Sequence, residues 1–266
     1  MNRLDVRRRE VMDRGEKVLT CYLPLGDPDL DTSMKLIEIY KNAGVDVIEL
    51  GMPSEKPYLD SNQIAASNKR SFSAHPDYAE YFQMWKVVRS EYPDEPFEVM
   101  AYADTVKTVG ADRFVSALEE ADFDGHLLAD AVVVEPELGA SMDELLQPSN
   151  IYRIRFMPHP FREDLLPDIS ENGQGFMILQ AIADEAGTRE TVAEGNRTLI
   201  ERIRFGGTRA AILVAYGINN GDRAREAVDL DPDGILVGTA MVNRIADLDF
   251  SGLEALISEL KAATFA

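Results

Sequence analysis

The chain has 266 residues, 45% hydrophobic and 28% charged, with a single cysteine. That apolar fraction supports a packed core and argues against disorder. One Cys (Cys21) excludes a disulfide framework and a cysteine-rich zinc site. The formal net charge is -20, from 27 Lys and Arg against 47 Asp and Glu, so phosphate backbones repel the chain and nucleic acid is not expected as a partner.

No run approaches the roughly 18 apolar residues of a membrane span. The opening residues, MNRLDVRRRE, are charged and lack an apolar core, so no secretory signal is expected and the cytosol is the default location. A small phosphate would be held by backbone amides rather than by a basic patch.

Short apolar, β-branched runs alternate with helical patterns along the whole chain. A helical pattern at 3–15 precedes the first strand, VLTCYL (18–23). A helix follows over 31–44, with Asp31 or Thr32 near its N-cap and Gly44 just past its end. DVIELG (46–51) is the second strand, 52–61 a loop and 76–92 an amphipathic helix. FEVMAY (97–102) is the third strand, with a helix at 110–121, and DGHLLAD (124–130) the fourth. YRIRFM (152–157), GFMILQA (175–181), AILVAYG (211–217) and DGILVG (233–238) complete the series, with a helix at 220–228 and two helical pieces in 239–263.

Eight strands each followed by a helix imply a parallel sheet. Eight units of about 33 residues match the arithmetic of a closed (β/α)8 barrel. The expected architecture is therefore one α/β domain over residues 1–266, a (β/α)8 TIM barrel with an extra N-terminal helix capping its bottom. An open doubly wound sheet is the alternative and would lack the evenly repeated eighth unit.

Barrel chemistry sits at the C-terminal ends of the strands. The second strand ends in Glu49, whose partial desolvation would raise its pKa toward the range useful for acid and base work. On position alone, a rim ion pair with an arginine is an equal reading of that residue. The next loop supplies Asp60, a second carboxylate on the same unit. Tyr22, Tyr102 and Asp130 stand at the ends of strands one, three and four, as pocket residues or as plain core and turn residues. His75, His126 and His159 are scattered, so no metal site is expected. The turns at Gly217 and at Gly238–Thr239 lead from strands seven and eight into helices. There, close backbone approach and a positive helix end favour a phosphate.

These segments resemble the tryptophan synthase α chain family over nearly the full length. LPLGDPDLDTS is similar to the family's first-strand segment, T-x-G-D-P followed by a helix start. AGVDVIELGMP is similar to A-G-A-D-x-[IL]-E-[LI]-G-[IV]-P, and AYADTVKTVGADRF to its third-strand pattern. ADFDGHLLAD, VAYGINNGDRA and DGILVGTAMV follow in the family's order and spacing. The resemblance implies a lyase that cleaves indole-3-glycerol phosphate to indole and glyceraldehyde 3-phosphate without metal or organic cofactor. It implies acid and base work for Glu49 at the indole C3 and the neighbouring glycerol hydroxyl. It gives Asp60 the indole nitrogen, and Tyr22, Tyr102, Asp130 and Ile178 the pocket around the ring. It assigns Gly187, Tyr216, Gly217, Gly238 and Thr239 to the phosphate.

Several positions depart from the family pattern. The loop after strand two reads Pro53-Ser54-Glu55-Lys56-Pro57-Tyr58-Leu59-Asp60-Ser61-Asn62, keeping Asp60 but losing the family's Phe, its Ser-Asp pair and its Gly-Pro pair. Lys56 reverses a charge where the family meets its β chain, so partnership with a β chain is doubtful. The strand six loop, Ala181 to Gly187, lacks the family's Arg and Thr. Ile178 stands where a Tyr is expected, and Asp104 where an Asn is. Three functions are compatible: this lyase, acting without a β chain; a diverged aldolase-type lyase on a related phosphorylated substrate; and a non-catalytic subunit that binds a phosphate metabolite. Retention of both carboxylates favours the first.

Overall fold

A computed structural model of the chain describes residues 1–57, 60–182, 195–215 and 217–265. Nine parallel strand segments form one sheet: β1 Val18–Pro24, β2 Val47–Gly51, β3 Phe97–Ala101, β4 Gly125–Leu128, β5 Tyr152–Arg153, β6 Arg155–Met157, β7 Phe176–Gln180, β8 Ala211–Ala215 and β9 Gly234–Val237. Their order is β5-β4-β3-β2-β1-β9-β8-β7-β6. The fifth strand expected at 152–157 is thus two segments. β5 pairs with β4 and β6 pairs with β7, with Ile154 between them. The chain changes partner at that residue and so links the two ends of the sheet into a nearly closed (β/α)8 barrel. No described helix is long and apolar enough to cross a membrane.

The strands are buried on both faces, as parallel strands under helices must be. One apolar cluster, with Leu19, Cys21, Ile48 and Val99, lies between the strands and the helices. The other, with Val18, Tyr22, Val47, Met100, Leu127, Leu213 and Leu236, fills the barrel interior. Alternation along each strand sends neighbouring residues to opposite sides. Register then fixes levels. Tyr22 of β1 lies opposite Glu49 of β2, and Glu49 lies opposite Glu98 of β3.

The N-terminal helix Arg3–Asp13 closes the bottom, as its sequence position suggested. Asn2 accepts from the Leu4 N–H at 2.9 Å and donates to the carbonyls of Asp124 and Asn150, each at 2.8 Å. Leu4 belongs to the interior cluster. Its methyl lies 3.1 Å from where a β-carbon on Gly125 would stand, so a side chain there would meet the plug.

Helix Leu30–Ala43 ends as expected at Gly44, whose φ of 100° is left-handed. Its cap is Asp29, not Asp31 or Thr32; Asp29 accepts from the Thr32 N–H at 2.6 Å. Helix Asn62–Ala74 was not anticipated. Its buried residues are Ile64, Ser67, Asn68 and Ser71, which have helical spacing but little apolar character, so an apolar period does not reveal them. The helix expected at 110–121 is Ala111–Glu120, and a further short helix, Ala103–Val109, precedes it across Gly110.

Candidate active site

A cavity of about 800 Å³ opens among the C-terminal ends of the strands. Its deep wall is apolar: Met100, Leu127, Phe156, Ile178 and Leu236 come from five strands. An apolar wall of this kind suits an aromatic ring. Tyr22, Glu49 and Asp60 also line the cavity, as do Gly217, Gly238 and Thr239.

Glu49 is 2% exposed, and its Oε1 is buried without a hydrogen-bond partner. Register puts it on the inner face of β2, two residues above Val47. Among the described residues it forms no ion pair, so the rim pairing with an arginine is not what its position serves. Burial first, then the charges of Glu98 and Asp60, hold its carboxyl well above the ordinary range. A glutamic acid that keeps its proton near neutral pH is the form a general acid needs.

Asp60 is half-buried, yet its Oδ2 is sealed from water and has no partner. Burial, with a contribution from Asp130, pushes its carboxyl up to about 7. The residue beside it, Ser61, caps helix Asn62–Ala74 by accepting from the Ile64 N–H at 3.3 Å. The same hydroxyl lies 3.1 Å from the Thr239 hydroxyl. Through that contact the loop carrying Asp60 is tied to the start of helix Thr239–Ala246.

Tyr22 is 1% exposed, with its ring and hydroxyl laid over Gly51; a methyl on Gly51 would overlap both. Its Oη has no partner. Desolvation raises the phenol well above its ordinary value, followed by the charges of Asp60 and Glu49, so Tyr22 keeps its proton and offers a neutral hydroxyl.

Two expected pocket residues do not reach the cavity wall. Tyr102 is fully buried within the interior cluster just before the helix after β3, its hydroxyl unpartnered. Asp130 is also buried, and its Oδ1 accepts from the Ala103 N–H at 2.8 Å. It orders the turn after β3 and acts on Asp60 by its charge. Ile178 does line the cavity, and it adds apolar surface where a tyrosine would have added a hydroxyl. Gly187 and Tyr216 lie outside the described residues.

Gly217 has a φ of 79°, which a residue with a β-carbon adopts only under strain. The first turn of helix Thr239–Ala246 leaves N–H groups without intrahelical partners and carries the positive end of the helix dipole. Arg244 is the only lysine or arginine among the described lining residues, and Asp249 already pairs with it at 2.8 Å. The chemistry available to an anion here is therefore mainly that of backbone amides.

Sequence reasoning missed the apolar wall of Met100, Leu127, Phe156 and Leu236, and it missed Glu98. Each is an inward residue of a strand, and which residues face inward follows from register between strands far apart in the chain. His126 faces the other way; its Nδ1 lies 2.9 Å from the Val99 carbonyl and burial lowers its pKa to about 4.

The family model described as tryptophan synthase alpha chain matches residues 9–264. The tryptophan synthase alpha chain of Methanosarcina barkeri is 30% identical, over 95% of this chain and 94% of its own. That of Erwinia tasmaniensis is 28% identical, over 99% of each. Among solved structures, the tryptophan synthase alpha chain of Legionella pneumophila superposes with a TM-score of 0.85 at 21% identity, covering 99% of this chain and 97% of that one. A chain of tryptophan synthase from Mycobacterium tuberculosis gives 0.84 at 21% identity, over 99% and 100%. At that identity the superpositions speak for the barrel fold.

Proposed function

This chain belongs to the tryptophan synthase alpha chain family, whose members are lyases that cleave indole-3-glycerol phosphate to indole and glyceraldehyde 3-phosphate, and we propose that Glu49 and Asp60 perform that cleavage here. One observation carries the assignment. Tyr22 Oη, Glu49 Oε1 and Asp60 Oδ2 are buried polar atoms without partners, all on residues lining one apolar cavity. Buried polar atoms are nearly always paired, so three orphans around one space point to a ligand that supplies the partners.

Glu49 begins protonated and gives its proton to C3 of the indole ring. The ring nitrogen then carries positive charge, which the Asp60 carboxylate offsets while accepting from the N–H. The Glu49 carboxylate next takes the proton of the hydroxyl on the glycerol carbon beside the ring. That oxygen's electrons form the aldehyde, the bond from C3 to this carbon breaks, and its electron pair returns through the ring to nitrogen. Indole and glyceraldehyde 3-phosphate leave, and Glu49 is again protonated. The backbone amides at Gly217, Gly238 and Thr239 hold the phosphate, and the apolar wall with Ile178 holds the ring.

The loop after β2 has lost the family residues that meet a β chain, and it is tied instead to Asp104. We infer that the protein releases indole without a β chain. A second reading, a related phosphorylated substrate with a polar group on its ring, is favoured by one observation, the unpartnered Tyr22 hydroxyl on the cavity wall.

The test is indole release from indole-3-glycerol phosphate by the purified protein alone, beside Glu49→Gln and with a β chain added in parallel. Loss of a positioned proton-transfer group should slow Glu49→Gln by roughly 10²–10⁴-fold, and the β chain should change neither rate nor elution volume. Full activity in Glu49→Gln would sink the assignment. A wild type that ignores this substrate but turns over a ring-substituted analogue would favour the second reading.

A further inference from the structure

Glu98 stands beside Glu49 inside the barrel. The two are register partners on β2 and β3, and paired residues on neighbouring parallel strands point to the same side, with strands about 4.8 Å apart. Met100, two residues on from Glu98, lines the cavity, so Glu98 points the same way one layer lower. It has no exposed surface, and neither of its carboxyl oxygens has a hydrogen-bond partner.

The surroundings offer that carboxyl nothing. Its register partner on β4 is Gly125, which brings no side chain. Leu4 of the N-terminal helix and Ile154 pack around that glycine. The titratable groups facing the pair are Tyr22 from β1 and Asp60 from the loop after β2, neither of them a cation. His126 on β4 turns outward to the Val99 carbonyl. Arg3 of the N-terminal helix is committed to Asp122 and Asp124. Among the described residues no lysine or arginine forms an ion pair with Glu49 or Glu98.

We propose that Glu98 is a positioning residue for the cleavage: with Glu49 it forms one buried carboxyl pair that carries at most one negative charge, so that Glu49 enters the reaction as the acid. The inference rests on the reading of Glu49 as the proton donor to the ring. Two carboxyl groups side by side, out of water and without a cation, do not both ionise. Burial alone raises Glu98 to about 8, whereas Glu49 is raised by burial and additionally by Glu98. As pH rises Glu98 releases its proton first, and its charge then holds the proton on Glu49. The pair titrates as a unit. Burial and the charge of Asp60 act in the same direction on Glu49, and of the two charges that of Glu98 has the larger effect.

The experiment is the pH profile of kcat for indole release by the wild type and Glu98→Gln. The neutral amide no longer opposes ionisation of Glu49, so the alkaline limb should move about one pH unit or more to lower pH, with KM little changed. Coincident alkaline limbs overturn the proposal. Should Glu98→Gln fail to fold, Glu98→Met keeps the volume without polar atoms and must show the same shift. An infrared titration of the protein alone supplies a readout without substrate. The protonated-carboxyl band of the wild type should persist at neutral pH, and Glu98→Gln or Glu98→Met should remove one carboxyl from it. A wild type in which both carboxyls of the pair are ionised at neutral pH overturns the proposal. A wild type with the expected band but no indole release instead overturns the reading of the reaction.

Discussion

Ser54 donates a 2.7 Å hydrogen bond from its hydroxyl to Oδ1 of Asp104, and the Lys56 N–H donates to Oδ2 of the same carboxylate at 3.1 Å. The Ser54 N–H in turn donates to the Asn68 side chain at 3.2 Å. Two departures from the family pattern, in the loop after β2 and after β3, are therefore one contact. It pins the chain segment leading to Asp60 against the helix Ala103–Val109.

Replacing Asp104 with alanine should loosen that segment and misplace Asp60. A displacement of about 1 Å at a reacting group can cost on the order of 10²-fold. The expected loss in kcat/KM for Asp104→Ala is roughly 10–100-fold, with the melting temperature nearly unchanged because the contact lies at the rim. Asp104→Asn keeps one acceptor for Ser54 and should lose less. Steady-state indole release checks both, and a fully active Asp104→Ala would show that the contact does not position Asp60.

Asp60 has a carboxyl pushed up to about 7, by burial first and then by Asp130. Its proposed role needs the ionised form, opposite a ring nitrogen that gains positive charge. Lowering pH through 7 protonates it and removes that charge, so kcat/KM should fall on the acid side, with a midpoint near 7 in the free enzyme. Asp60→Asn should run at a lower plateau and lose this acid limb. An unchanged acid limb in Asp60→Asn would assign the ionisation to another group.

Gly51 admits the Tyr22 ring because it has no β-carbon; a methyl there would overlap the ring and its hydroxyl. Gly51→Ala should displace Tyr22 and cost about 1–3 kcal/mol, the usual scale for overpacking. At roughly 2–4 °C per kcal/mol for a chain of this size, thermal unfolding will resolve it. The double variant Tyr22→Ala with Gly51→Ala should be more stable than the two single effects summed, since the methyl no longer meets a ring. Strict additivity would mean that the two residues do not touch.

The eight βα units were legible because strands buried on both faces read as unbroken apolar, β-branched runs between helical patterns. Glu49 was legible for a related reason: a carboxylate closing the run VIEL stands at the one end of a barrel strand where chemistry occurs. Gly217 and Gly238 were legible as turns from strand to helix. Tyr102 and Asp130 were legible as residues at strand ends, directly after β3 and two residues after β4. Tyr102 precedes helix Ala103–Val109 without a side-chain capping bond, and Asp130 accepts from the Ala103 N–H.

Helix Asn62–Ala74 and the break at Ile154 were not legible. The buried face of that helix is Ser67, Asn68 and Ser71, which look like surface until the barrel packs on them. Ile154 fits a continuous strand until β5 and β6 take different partners. The amino-acid order alone therefore determined the units, their sequence and the carboxylate at the second strand's end, because those follow from local periodicity. Only the tertiary structure decided that Glu98 points inward beside Glu49. Which side of a strand meets which neighbour depends on register between segments far apart in the chain, and no local pattern encodes it.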